Sequence, residues 1–292
     1  MDRVKTLCGA LALAACLVGG YGAAARDDVR PRAEASAAPA QSFFAQSAAQ
    51  ILNREFAGDE VSYLLLDARD GALLAARWPA REQPIPLGSL VKPFAALAYA
   101  QQHAYRYPVY VCHGAAGGCW RPQAHGRLNI STALANSCNS YFRELTSGLT
   151  GKELREVAQQ FGLDAPATGL SGAALMGIGD AWPISPMHMA RAYLELDRRR
   201  AEPGVSEIVA GLAESAQWGT GSGVDRGRPH GTALVKTGTA ACRHAHWAPG
   251  DGFAVALVPA EQPKVLLMVR VHGAPGSKAA ETAGRMLARL EQ

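Results

Sequence analysis

The chain has 292 residues, 48% of them hydrophobic and 18% charged, which excludes wholesale disorder and suits one large packed domain or two small ones. The formal net charge of +4 is small and no long basic run stands out, so no nucleic-acid partner is expected.

Asp2, Arg3 and Lys5 precede an apolar stretch from Leu7 to Val18. A membrane-spanning helix needs about 20 apolar residues, so this shorter run behind a basic start reads as an export signal. Two processing readings stand side by side. Ala23-Ala24-Ala25 suits ordinary cleavage of a signal peptide over residues 1–25, whereas Leu13-Ala14-Ala15-Cys16 resembles a lipobox, in which Cys16 becomes the acylated first residue. Several acyl chains on Cys16 would anchor an exported protein to a membrane. Residues 26–40, rich in Ala and Pro with mixed charge, read as a flexible tether. Residues 41–292 are left for the folded domain.

Ser42–Phe56 carries Phe43, Phe44, Ala48, Ile51 and Leu52 at helical spacing. Val61–Asp67 and Ala72–Arg77 are apolar runs around Asp70-Gly71, the pattern of a β-hairpin. Pro84, Pro86 and Gly88 break the chain before a helix beginning near Leu90. Residues 90–215 are mostly helical in pattern, most clearly in Leu154–Phe161 and Met187–Arg198. Gly219-Thr220-Gly221-Ser222-Gly223 is a loop without the spacing of a dinucleotide or phosphate cradle, and no cofactor is expected. The tail reads as strands Thr232–Thr237, Phe253–Val258 and Val265–Val271, then a helix over Lys278–Leu290. Short connections make these strands antiparallel. The expected fold class is α/β in the mixed α+β sense: an antiparallel sheet flanked by helices, with a helical subdomain.

Four cysteines lie in the domain: Cys112, Cys119, Cys138 and Cys242. Cys112 and Cys119 enclose a short Gly-rich loop and, in an exported protein, are the pair expected to form a disulfide. A zinc set of these two with His113 and His125 matches no standard ligand spacing. His244 and His246 alternate on a possible strand but read as a solvated loop, so no metal is expected.

Three short motifs carry chemistry. In Ser89-Leu90-Val91-Lys92, positions i and i+3 of a helix share a face, so a hydroxyl and an amine come within reach. The hydroxyl is a weak nucleophile until a base takes its proton, and a lysine serves as that base when burial lowers its pKa. Free N–H groups at a helix start would favour developing negative charge on Ser89, and Pro93 suits a first turn. In Ser137-Cys138-Asn139 the hydroxyl could pass protons and the amide could hold a substrate amide; Ser and Asn are also ordinary turn residues. Lys236-Thr237-Gly238-Thr239 falls on a predicted strand, where Lys236 offers positive charge, the threonine hydroxyls can bind a carboxylate, and Gly238 lets a ligand backbone approach. The first two motifs alone are weak and the third is rarer by chance, and their order along the chain is informative.

With these motifs the chain resembles the transpeptidase domain of penicillin-binding proteins from about Val61 to the C-terminus. The resemblance extends to the Val61–Ala76 hairpin, Leu87-Gly88-Ser89, the Cys112–Trp120 segment with His125-Gly126 and Leu128, Ala133–Phe142, and Ile178-Gly179 with Ile184–Met187. It implies a serine acyl-transferase acting on D-Ala-D-Ala peptidoglycan stem peptides outside the cytoplasm, with β-lactams as inhibitors. Ser89 would form the acyl-enzyme, Lys92 would be its base and Ser137 a proton relay. Asn139 would hold the substrate amide, and Lys236, Thr237 and Thr239 the terminal carboxylate. The N–H groups of Ser89 and Thr239 would form the oxyanion hole.

The resemblance leaves alternatives on the same fold: a β-lactamase, or a non-enzymatic β-lactam sensor or cell-wall binding partner. Class A β-lactamases activate water with a glutamate, and no Glu lies between Val157 and Leu194. Residues 249–253, Pro-Gly-Asp-Gly-Phe, depart from the family pattern after the third motif.

Overall fold

The computed structural model describes residues 42–58, 60–228, 231–242 and 250–292. The export, lipidation and tether readings, with His244 and His246, lie outside the described residues. In chain order the elements are α1 (Phe43–Glu55), β1 (Val61–Asp67), β2 (Leu73–Arg77), β3 (Ile85–Pro86), α2 (Lys92–Gln102), β4 (Tyr110–Cys112) and β5 (Gly126–Leu128). They continue with α3 (Ile130–Ala135), α4 (Asn139–Leu145), α5 (Gly151–Phe161), β6 (Pro183–Ile184), α6 (Pro186–Arg198), α7 (Val205–Gln217) and α8 (Gly223–Arg226). The chain ends with β7 (Leu234–Ala240), β8 (Asp251–Val258), β9 (Val265–His272) and α9 (Gly276–Leu290).

Five strands form one sheet in the order β2-β1-β9-β8-β7. Every pairing in it is antiparallel. The first hairpin is therefore joined to the last three strands through β1 and β9, a long-range pairing that local patterns do not report. Side chains alternate across a strand, so each strand feeds two cores. Leu64, Leu66, Phe253, Val255, Leu257, Leu266 and Met268 pack toward the helical middle of the chain. Tyr63, Leu65, Ala254, Ala256, Leu267 and Val269 pack with Leu52 of α1 and Ala279, Ala283, Met286 and Leu287 of α9. All eight residues of β8 are buried, as a central strand covered on both faces requires.

Local chemistry sets the helix boundaries. Ser42 caps α1, its Oγ accepting from the Ala45 N–H at 3.2 Å. Thr150 and Glu153 form a capping box at α5, and Gly162 ends that helix in the left-handed region. The helix expected near Leu90 begins as a 3-10 turn over Gly88–Val91 and becomes α2 at Lys92, with Pro93 in the first turn. Two small strand pairs, β3 with β6 and β4 with β5, interrupt the stretch whose pattern is mainly helical. No helix among the described residues is long and apolar enough to cross a membrane.

Candidate active site

β7 is an edge strand of the sheet, and its free side lies against the Gly88–Val91 turn that carries Ser89. The approach is close enough that glycine is required on both sides. A Cβ on Gly238 would sit 2.4 Å from the Leu87 carbonyl oxygen, and one on Gly88 would sit 2.2 Å from that of Thr239. The sequence reading gave Gly238 the role of admitting a ligand backbone; the backbone it admits is that of the serine turn itself. Gly88 also has φ +58, a conformation that a side chain would strain.

Alternation along β7 separates the side chains of the third motif. Leu234 and Ala240 pack in the core on the side of the helical middle, while Val235 packs on the α9 side. Lys236 shares the parity of Leu234 and reaches Ser137, its Nζ donating to Ser137 Oγ at 3.0 Å and to the Thr237 carbonyl at 2.7 Å. Thr237 and Thr239 take the other parity. Thr237 Oγ1 donates to Thr220 Oγ1 at 2.7 Å, and Thr239 Oγ1 accepts from the Gly276 N–H of α9 at 3.0 Å.

Ser137 joins α3 to α4 in the left-handed region, at φ 48. The Ser137 N–H donates to Leu134 O at 3.0 Å and the Cys138 N–H to Ala133 O at 2.9 Å, which is the Schellman pattern at a helix end. Glycine is the usual occupant of that position, and a left-handed L-residue costs about 1–2 kcal/mol. Here a serine is retained, and its hydroxyl is the oxygen on which both lysines meet.

Lys92 is fully buried. Its Nζ donates to Asn139 Oδ1 at 2.7 Å, to the Ser137 carbonyl at 2.8 Å and to Ser137 Oγ at 3.3 Å, and it lies 5.2 Å from the centroid of the Phe142 ring. Three acceptors match the three hydrogens of an ammonium. Burial lowers the amine to about 7, against the opposing effect of nearby Cys138 and Cys119. Burial also holds Lys236 well below the usual lysine range, and the neighbouring Lys92 pushes it the same way. The sequence reading brings the Lys92 amine to Ser89. Among the described residues its hydrogen bonds go to Ser137 and Asn139, and Ser89 meets it only through the backbone, where the Lys92 N–H donates to Ser89 O.

The cysteines require a correction. Cys112 and Cys119, expected to be disulfide-bonded, are free thiols, as are Cys138 and Cys242. Cys112 and Cys119 instead turn toward one imidazole, their Sγ atoms 3.4 and 3.6 Å from His125 Nδ1. His113, grouped with them in the sequence reading, is exposed at the start of the turn over Gly114–Gly117. Cys138 stands in its place, 3.7 Å from Cys119.

The motifs leave out Thr220, which stands in a Gly-Thr-Gly loop whose spacing only excludes a phosphate cradle, yet its hydroxyl accepts from Thr237. Phe142 belongs to the segment that carries the resemblance and Cys138 to the four domain cysteines, but the sequence gives Phe142 no place beside Lys92 and Cys138 none beside Cys119.

An antiparallel sheet, an edge strand against a serine turn and a helical subdomain delivering Ser137 define the architecture of a penicillin-binding transpeptidase domain. The chain belongs to that family: the model of the penicillin binding protein transpeptidase domain matches residues 61–289. Solved structures share the fold at low identity. PBP2 of Pseudomonas aeruginosa, in complex with WCK 5153, is 15% identical with TM-score 0.69, over 86% of this chain and 73% of that one. PBP2 of Helicobacter pylori, solved with MreC, is 16% identical with TM-score 0.71, over 84% of this chain and 62% of that one. The TP domain of Burkholderia pseudomallei penicillin-binding protein 3 is 16% identical with TM-score 0.64, over 85% and 91%. No curated protein matches the chain in sequence.

Proposed function

We propose that the chain is a serine acyl-transferase that cleaves the terminal D-Ala-D-Ala bond of peptidoglycan stem peptides through an acyl-enzyme on Ser89, and that β-lactams acylate the same hydroxyl. The observation that carries this reading is the meeting of the Lys92 and Lys236 amines on Ser137 Oγ, beside the turn that holds Ser89.

The steps follow from the groups present. Neutral Lys92 takes the Ser89 proton as Oγ bonds to the penultimate carbonyl carbon. The carbonyl electrons move to oxygen, where the N–H groups of Ser89 and Thr239 stabilise the charge; a preorganised donor of this kind contributes about 3–4 kcal/mol. The C–N bond then breaks as Lys92 returns that proton through Ser137, whose hydroxyl gives its own proton to the departing amine of the terminal D-Ala and takes the one from Lys92. Asn139 accepts from Lys92 through Oδ1, which leaves its N–H groups for a substrate carbonyl. Lys236, with Thr237 and Thr239 on the strand edge, receives the terminal carboxylate. An amine attacking the acyl-enzyme completes transpeptidation, and water completes carboxypeptidation.

Export would bring the domain to the peptidoglycan by one of two routes: cleavage before Cys16, which then carries the lipid, or removal of residues 1–25 as an ordinary signal; residues 26–40 serve as tether in either case. Time-resolved labelling with a fluorescent penicillin tests the core of the proposal. Wild type is expected to label stoichiometrically and Ser89→Ala not at all. Covalent labelling of Ser89→Ala would refute the nucleophile, and rapid turnover of a chromogenic cephalosporin would favour a β-lactamase.

A further inference from the structure

Beside the proposed catalytic groups lies a second cluster that the acyl-transfer chemistry does not use. Cys112 ends β4, Cys119 follows the turn over Gly114–Gly117, His125 precedes β5, and Cys138 joins α3 to α4. Their ligand atoms all lie within 4.8 Å of one another. The three cysteines are buried and His125 is half-buried.

The distances identify what the cluster is shaped for. A tetrahedral zinc ion has Zn–S bonds of about 2.3 Å and Zn–N bonds of about 2.0–2.1 Å, so its edges are about 3.8 Å between two sulfurs and about 3.6 Å between sulfur and nitrogen. The cluster has Cys119 Sγ to Cys138 Sγ at 3.7 Å, Cys119 Sγ to His125 Nδ1 at 3.6 Å and Cys112 Sγ to His125 Nδ1 at 3.4 Å. These match the edges of that tetrahedron. Ordinary thiol packing has no reason to gather three sulfurs around one ring nitrogen. The Gly114 N–H also points at Cys112 Sγ at 3.4 Å, a contact that favours a thiolate. On the other side of the ring, His125 Nε2 is buried with no hydrogen-bond partner among the described residues, so the contacts of this imidazole are made through Nδ1.

We propose that Cys112, Cys119, His125 and Cys138 bind one zinc ion in a closed, structural Cys3His site. Three thiolates and an imidazole are a soft donor set that suits zinc, and four protein ligands leave no position for a reacting water. Binding releases the thiol protons, leaving a neutral imidazole and three thiolates on the ion. The ion would fasten the β4–β5 hairpin to the α3–α4 junction. Cys138 lies between Ser137 and Asn139, so fixing its sulfur fixes the left-handed turn that presents both groups to Lys92. Zinc binding itself does not depend on the acyl-transfer reading, and its test does not use activity.

The test is elemental analysis of the full chain, produced with zinc and purified without chelator. One zinc per chain is expected in wild type and in Cys242→Ser. Cys138→Ser, Cys119→Ser and His125→Ala are expected to retain a small fraction of it. A second readout covers variants that fold poorly: in the metal-free wild-type chain, added zinc should protect three of the four domain thiols from a thiol reagent. Added cobalt should give thiolate-to-cobalt charge-transfer bands and the intense d–d bands of a tetrahedral ion. Zinc-free protein whose thiols stay reactive in excess zinc would overturn the proposal, as would undiminished zinc content in Cys138→Ser or a disulfide between Cys119 and Cys138 in freshly purified protein.

Discussion

Lys92 and Lys236 bring two buried amines to one oxygen, their Nζ atoms 3.3 and 3.0 Å from Ser137 Oγ. Two ammonium groups at such range repel, and both lysines are fully buried, so protonating both is disfavoured. A pair of this kind holds one lysine ready to accept a proton. In the proposed reaction that lysine is Lys92.

A pH dependence of acylation follows. Lys92 acts as base only when neutral, and burial lowers its amine to about 7. The rate of acylation by a β-lactam should therefore rise with pH through that value and level off above it. Lys92→Arg, which stays protonated, should acylate about 10²–10⁴-fold more slowly at every pH. Stopped-flow acylation with wild type and variant checks both. A wild-type profile that is flat on either side of 7 would remove Lys92 from the role of base.

The strain at Ser137 can be measured by two replacements. Alanine keeps the left-handed penalty and glycine removes it, while both delete the hydroxyl. Ser137→Gly should be more stable than Ser137→Ala by about 1–2 kcal/mol in urea denaturation. Both should lose about 10²-fold or more in acylation rate, since neither can relay a proton. Equal stability of the two variants would mean that the turn carries no strain.

The start of β8 depends on an ion pair. Asp251 and Arg270 are both buried, and Arg270 Nε donates to Asp251 Oδ2 at 3.1 Å while its Nη2 donates to the same oxygen. Asp251 pairs in register with Ala240, at the end of β7. Removing one partner of a buried pair costs about 3–5 kcal/mol. Asp251→Ala should lower unfolding stability by that order in urea denaturation. A change below about 1 kcal/mol, the range of a surface pair, would show that the pair is solvated.

The local part of this architecture is written in the sequence. The Asp70-Gly71 turn and the alternating runs on either side mark the first hairpin, and Val265–Val271 differs from β9 by a single residue. What no local pattern reports is the pairing of β1 with β9, because it joins opposite ends of the domain. β7 shows the same limit: its predicted strand starts early, at Thr232, and stops short at Thr237, because the register that extends it to Ala240 comes from β8. The site behaves likewise. Ser89, Lys92, Ser137, Asn139 and Lys236 were legible as motif residues, but that Lys92 points at Ser137 and Asn139 depends on how α2 meets the α3–α4 junction. The cysteines were misread for a related reason. Cys112 and Cys119 are near in sequence and suggest a disulfide, but their sulfurs share one cluster with His125 and Cys138, the latter from another element, and no local pattern brings Cys138 there.

Gly238 offers the sharpest test of the contact between β7 and the serine turn. It is buried, and a Cβ there would lie 2.4 Å from the Leu87 carbonyl oxygen, whereas ordinary contact starts at 3.4 Å. Backbone on both sides leaves no flexible end to yield, so Gly238→Ala must push the edge strand away from the turn by about the size of that overlap. A displacement of about 1 Å at a reacting centre costs about 10²-fold in rate. The proposed oxyanion hole spans this contact, with one N–H on Ser89 and the other on Thr239. Acylation by a fluorescent penicillin should fall by that order while far-ultraviolet circular dichroism stays near wild type. Gly148→Ala supplies the control, since a Cβ there meets nothing within 4 Å. If Gly238→Ala acylates as fast as Gly148→Ala, the spacing between β7 and the serine turn does not govern the chemistry.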